Sequence, residues 1–292
     1  MFRWCALVVA LVGVMSLAGV GWGQTASRIG SPLAYATPTP ASAPATSVDP
    51  EVEKILDRLE KRGDTVSDLS CKVRQEMLGK AIGETITKEG ELKYLRGADG
   101  NNPRFLIHFT KITQDDFPIK PEWYIFDGRW FIDAKESTKV VNRREIVGPG
   151  QKIDLFSVED SPFPLPFGQK KLEILKNFEV KVVPRGVKDP ADTNDSKHLL
   201  CIPKPGTQKE REYKEIHFYV DPKLDLPKTI VAYRKTGNKV SEIQTVAFPD
   251  LTQKSINRGL PVSAFDFKVP VGWSVSEERL ETREVRGPGV RR

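Results

Sequence analysis

The chain has 292 residues, with 45 lysines and arginines against 39 acidic residues and a formal charge of +6. The basic excess is scattered, and the aromatics sit in alternating apolar runs rather than beside a basic stripe, which argues against a nucleic-acid partner. Once an export segment and a proline-rich stretch are set aside, the remainder suffices for one large domain, or at most two.

Met1, Phe2 and Arg3 form a short positive head. Residues 4–20 are an unbroken run of apolar and small side chains, and Gly21 and Gly23 offer a cleavage pair before Gln24. The pattern predicts export to the periplasm with 1–23 as signal peptide. Counted through Trp22, the run is also about long enough to span a bilayer, so an uncleaved inner-membrane anchor is the alternative. Cys5 would leave with a cleaved segment, and no lipidation cysteine follows it. Residues 24–48, rich in Pro, Ala, Ser and Thr, read as a disordered linker. A folded domain is expected over 49–280, followed by a basic disordered tail over 281–292.

Asp49 and Pro50 read as the N-cap and first residue of a helix, with Val52, Ile55, Leu56 and Leu59 on one stripe and Gly63 placed to stop it. From 68 to 77 the period changes to two, the mark of a half-buried strand. A second strand is predicted over 84–96, where Gly90 marks a bulge or bend. A third covers 104–112.

Residues 123–133 then place Asp127-Gly128 between two apolar runs. Asp-Gly is a strong hairpin signal, because a type I′ turn needs positive φ at both central residues. Alternation puts Trp123, Ile125, Trp130 and Ile132 on one face and Tyr124, Phe126 and Phe131 on the other. With both faces apolar, the hairpin requires two apolar coverings, or one covering and one cavity.

A strand follows around 139–144. Between 148 and 168 the pattern breaks into Ile153, Leu155 and Phe156, then Phe163, Leu165 and Phe167 among prolines. This run is too proline-rich for a central strand and too apolar for a solvated loop. It reads either as a loop laid over the core or as a movable lid over an apolar mouth. A short helix is expected over 170–178 and a polar excursion over 185–197. Strands follow over 198–202, 213–220, 228–235 and 239–248, the last two joined by Gly237-Asn238, and a final strand over 264–269 closes the sheet. The sum is a mainly β, α+β fold: a strongly curved antiparallel sheet forming an incomplete barrel, with an N-terminal helix and a helical or irregular lid over an apolar cavity.

No catalytic constellation is legible. His108, His198 and His217 lie in strands without metal-ligand spacing, and there is no nucleophile elbow or phosphate loop. Asp115 and Asp116 read as loop solvation and Asp127 as a turn residue. Cys71 and Cys201 read as buried free thiols in preference to a disulfide. No enzymatic activity, metal or cofactor is expected.

The ordered motifs resemble a known family. Asp68-Leu69-Ser70-Cys71-Lys72-Val73-Arg74-Gln75 is similar to the first strand of the periplasmic lipoprotein carrier LolA and its outer-membrane lipoprotein-sorting relatives. Gly90-Glu91-Leu92-Lys93-Tyr94-Leu95-Arg96 resembles their Gly-x-Leu-x-x-x-Arg strand, and Asp127-Gly128 before Trp130 their Asp-Gly hairpin. The segment from Phe265 through Pro270 and Gly272 to Val275 resembles their terminal signature. The departures are Gly97 in place of a proline after Arg96, a shorter hairpin before its tryptophan, and the extra linker, excursion and tail.

The resemblance implies a monomeric periplasmic carrier whose half-barrel cavity takes lipoprotein acyl chains or phospholipid. It also implies an inner-membrane extraction complex and an outer-membrane acceptor as partners. Phe105, Trp123, Ile125, Trp130 and Ile132 are expected to line the cavity, and Arg96 to latch the lid. The alternative is a lipid-sensing regulatory module of the envelope that acts by protein contact.

Overall fold

The computed structural model describes residues 48–97, 102–148, 150–151, 170–184 and 195–280. The export segment, the linker, the tail, most of the polar excursion and all six apolar residues of the expected lid lie outside these residues.

Helix α1 spans Pro50–Thr65, two residues past Gly63. Asp49 caps it by accepting a 2.7 Å hydrogen bond from the Glu51 amide, and Glu51 and Glu53 in the first turn suit its positive end. The strands are β1 (Asp68–Gly79), β2 (Thr85–Leu95), β3 (Arg104–Gln114), β4 (Phe117–Ile119), β5 (Glu122–Phe126), β6 (Trp130–Lys135) and β7 (Val140–Glu145). Helix α2 (Lys171–Asn177) runs directly into β8 (Phe178–Val183), followed by β9 (Lys197–Pro203). Helix α3 (Gln208–Glu212) then precedes β10 (Tyr213–Asp221), β11 (Leu226–Thr236), β12 (Lys239–Ala247) and β13 (Ser274–Glu278).

Among the described residues these strands form one 13-stranded sheet in the order β13-β7-β6-β5-β3-β2-β1-β12-β11-β10-β9-β8, with β4 on β3. The end strands β13 and β8 do not pair with each other, so the sheet is open, as an incomplete barrel requires. The fold is mainly β with an N-terminal helix. It is mixed rather than wholly antiparallel, because β13 runs parallel to β7.

Two local expectations are corrected. Residues 264–269 do not close the sheet: a 3-10 turn occupies Val262–Phe265, and the closing strand is β13. The Asp127-Gly128 turn is wider than two residues, since Phe126 pairs with Phe131. Asp127 Oδ1 there accepts from the amides of Arg129 (2.9 Å) and Trp130 (2.8 Å), an Asx turn that leaves only Gly128 at positive φ. The two-residue loop with both φ positive is instead Asp115-Asp116, between Gln114 and Phe117.

Gly90 marks the β2–β3 bulge, where a Cβ would stand 1.9 Å from the His108 carbonyl oxygen. Only glycine permits that approach of the two backbones.

Strand register defines two faces. One row runs Cys71, Leu92, Ile107, Tyr124, Asp133 across β1, β2, β3, β5 and β6. In phase with Cys71 along β1 stands Met77, whose row continues through Gln244, Ala232, Ile216 and Cys201 to Val180. This is the inner face, because Val52, Ile55 and Leu56 of α1 pack on its far wing with Phe178, Leu199, Cys201 and Val220. Each aliphatic side chain so buried contributes about 1.5–3 kcal/mol. Cys71 and Cys201 are free and buried, and loss of solvation pushes both thiols up to about 12.

Candidate functional site

The hairpin β5–β6 decides which face is free to act. Ile125, Ile132, Ala134 and Val141 are buried on the outer face, where Phe267 and Trp273 of the C-terminal segment pack over them. The Trp123 ring lies 6.0 Å from each of those two rings and stacks on His108 at 4.5 Å. Trp130, half-buried on the same face, is bordered by the guanidinium groups of Arg129, Arg143 and Arg279 at 5.6, 5.1 and 6.0 Å. Those cations are in turn paired with Glu145 and Glu277.

The five residues expected on one lining are therefore divided. Phe105 pairs with Phe126 and lies on the inner face, whereas Trp123, Ile125, Trp130 and Ile132 lie on the outer one. The physical reason is the C-terminal segment: by crossing the outer face it supplies one of the two coverings that the hairpin needs.

The inner face carries a dense aromatic end. Phe105 is buried, with its ring 6.1 Å from Phe126 and 6.3 Å from Phe131. On β1, β2 and β12 the same face stays apolar but is only partly covered, with Met77, Ile86 and Val246 half-buried, while Ile216 and Phe218 on β10, also half-buried, pack against the α1 cluster.

Between these two regions lies a polar group that the sequence reading missed. Lys88 Nζ donates to Glu122 Oε2 at 2.6 Å, and the Tyr124 hydroxyl donates to the same oxygen at 2.9 Å. Burial works against the charge on Glu122, but the Lys88 ammonium and these two hydrogen bonds hold its carboxyl below the usual range. Asp133, directly opposite Tyr124, is raised by burial, with Glu122 adding to the effect and Lys135, Lys88 and Arg144 opposing it. Strand alternation carried the signal: Glu122 and Asp133 fall in phase with Tyr124, Phe126 and Phe131, where an uninterrupted apolar face would have none.

Arg96 stands at the C-terminal end of α1. Its Nε donates to the Val66 carbonyl at 2.9 Å and its Nη2 to that of Gly63, so a cation meets the negative end of the helix. The histidines are not all isolated, since β9 and β10 bring His198 Nε2 to 2.8 Å from His217 Nδ1 on the outer face. Among the described residues no three His, Cys, Asp or Glu side chains gather as a metal site. No helix among them is long and apolar enough to cross a membrane.

No family model matches the chain, and no curated protein matches it by sequence. Solved structures that it resembles include a putative outer membrane lipoprotein-sorting protein domain from Vibrio parahaemolyticus, at 14% identity over 74% of this chain and 97% of that one, with a TM-score of 0.35. A LolA superfamily protein from Nitrosomonas europaea matches at 10% identity over 74% and 97%, with a TM-score of 0.30. Lipoprotein LppX from Mycobacterium tuberculosis matches at 9% over 70% and 98%, with a TM-score of 0.39.

Proposed function

We propose that this domain holds acyl chains against its inner face and carries lipids or lipoproteins through the cell envelope. The observation that supports the reading is that half-buried apolar residues on that face, Met77, Ile86 and Val246, continue in phase beyond the core that α1 covers. Apolar rows that continue beyond their covering call for something to cover them. An alkyl chain does so at about 0.8 kcal/mol per methylene.

A bound chain of ordinary length would be held too firmly to leave unaided, so a carrier needs a competitor for the same surface. The apolar run from Ile153 to Phe167 is the proposed competitor, and Arg96, which fixes the end of α1, is the proposed latch. The export pattern at the N-terminus suits a periplasmic site of action, with an extraction complex and an acceptor as the proposed docking partners.

The test is organic extraction and mass spectrometry of the full chain purified from its own envelope. Lipid or lipoprotein in a ratio near one per chain supports the carrier. A co-purified protein without lipid favours the regulatory alternative.

A further inference from the structure

One end of the sheet gathers apolar side chains that stand open to solvent. Backbone hydrogen bonds join its turns in a line: the Lys80 amide donates to the Ser241 carbonyl (2.9 Å), Asp115 to Thr85 (2.8 Å), Glu136 to Pro121 (3.0 Å) and Ser274 to Lys139 (2.9 Å). The turns that follow β11, β1, β3 and β6, and the turn that precedes β13, therefore share one rim. On it Ile82 is 75% exposed, Phe117 76% and Val271 fully. Turns favour Gly, Pro, Asn, Asp and Ser, and large apolar residues exposed singly are commonplace. Three in or beside three turns of the same rim form a pattern that turn chemistry does not require.

Lysines alternate with them. Lys80, Lys139 and Lys239 are exposed in three of these turns, without an acidic partner among the described residues. Of the acids there, Glu136 faces Lys120 at 3.6 Å, Glu84 accepts from the Gln114 side-chain amide and Asp115 from the Thr85 amide at 2.8 Å, which leaves Asp116.

We propose that this rim docks on the face of a bilayer that contains anionic phospholipid. Ile82, Phe117 and Val271 enter the boundary between head groups and acyl chains, and Lys80, Lys139 and Lys239 meet the phosphates. Apolar side chains at the interface combined with lysines near anionic heads are the two terms from which peripheral membrane binding is built. A protein partner calls instead for a contiguous, closely packed apolar centre, whereas these residues stand on separate turns. The export pattern at 4–20 takes the chain to a bilayer, as leader or as anchor. Met77 and Ile86 pair directly and lie close to Gly79, where β1 reaches the rim, so the uncovered part of the inner face ends there. The docking surface goes beyond the acyl-chain reading and does not depend on it.

The experiment is hydrogen exchange of the full chain with and without vesicles of phosphatidylcholine and phosphatidylglycerol in equal parts. Amides around Ile82, Phe117 and Val271 should exchange severalfold more slowly on the vesicles, while the turn at 222–225, at the opposite end of the sheet, is unchanged. Ile82→Ser combined with Phe117→Ser should lose that protection, and Leu172→Ser, at an equally exposed apolar position on α2, should keep it. No slowing at the rim, equal slowing at 222–225, or protection that survives the double substitution overturns the proposal. Slowing without vesicles that grows with protein concentration identifies a second copy of the chain as the occupant and also overturns it.

Discussion

Lys88 Nζ sits 2.6 Å from Glu122 Oε2 with both side chains almost wholly buried, and the ammonium lies 5.5 Å from the Phe109 ring and 5.6 Å from that of Tyr124. Removing one member of such a pair strands the other in an apolar surrounding. Lys88→Met should cost about 3–5 kcal/mol in denaturant unfolding, and adding Glu122→Leu should recover most of it. The pH dependence has a definite sign. The folded carboxyl of Glu122 titrates below its unfolded value, so its contribution is present above the unfolded pKa and is lost as pH falls through the folded one. The Lys88→Met protein should lose that part of the acid slope.

Asp133 carries the opposite sign. Its folded carboxyl titrates above its unfolded value, so ionisation opposes folding at neutral pH, and the penalty is relieved as pH falls through the folded pKa. Asp133→Asn should therefore stabilise the ligand-free protein by about 1 kcal/mol at neutral pH. The gain should shrink to nothing once pH drops below the unfolded value. A loss of stability at neutral pH would contradict an unpaired carboxylate.

Gly90→Ala should be among the most damaging single-methyl changes in the sheet. The new Cβ would meet backbone, the His108 carbonyl, which cannot swing away as a side chain does. A cost of about 2–3 kcal/mol, with the β2–β3 amides exchanging faster, is the expected outcome. Unchanged unfolding would mean that the bulge can open freely.

Arg96→Met should fray the end of α1, because the Val66 carbonyl loses its guanidinium donor and the Gly63 carbonyl keeps only the Val66 amide at 3.3 Å. Hydrogen exchange should quicken around Val66, with a global loss of about 1–3 kcal/mol. If Arg96 served the expected lid alone, exchange in α1 would not change.

Much of the fold was legible because period-two alternation survives small errors in register. The hairpin was read with Asp127 and Gly128 as its whole loop, yet its faces came out correctly, since the true pairing is displaced by two residues and keeps the parity of every side chain. Asp49-Pro50 and Gly90 were legible because each has a single local physical cause. Strand β8 was missed because Leu172, Leu175 and Phe178 fit a helical stripe, while the chain leaves the helix at Asn177 to follow the β-branched run after it. The closing strand was misplaced because the alternation around Phe265 and Phe267 reflects packing on the outer face rather than pairing. The site was the least legible part. Which hairpin face is covered depends on a segment some 140 residues further along the chain, and no local pattern reports that.

The division of the hairpin gives the most direct test of acyl binding on the inner face. Loading with a pyrene-labelled fatty acid methyl ester should be measured in two variants of the full chain, Met77→Glu on the inner face and Trp130→Glu on the outer one, with circular dichroism confirming that the sheet persists in each. The account predicts that Met77→Glu abolishes loading and Trp130→Glu leaves it near that of the unaltered protein. Loading that survives Met77→Glu but is lost in Trp130→Glu would contradict it.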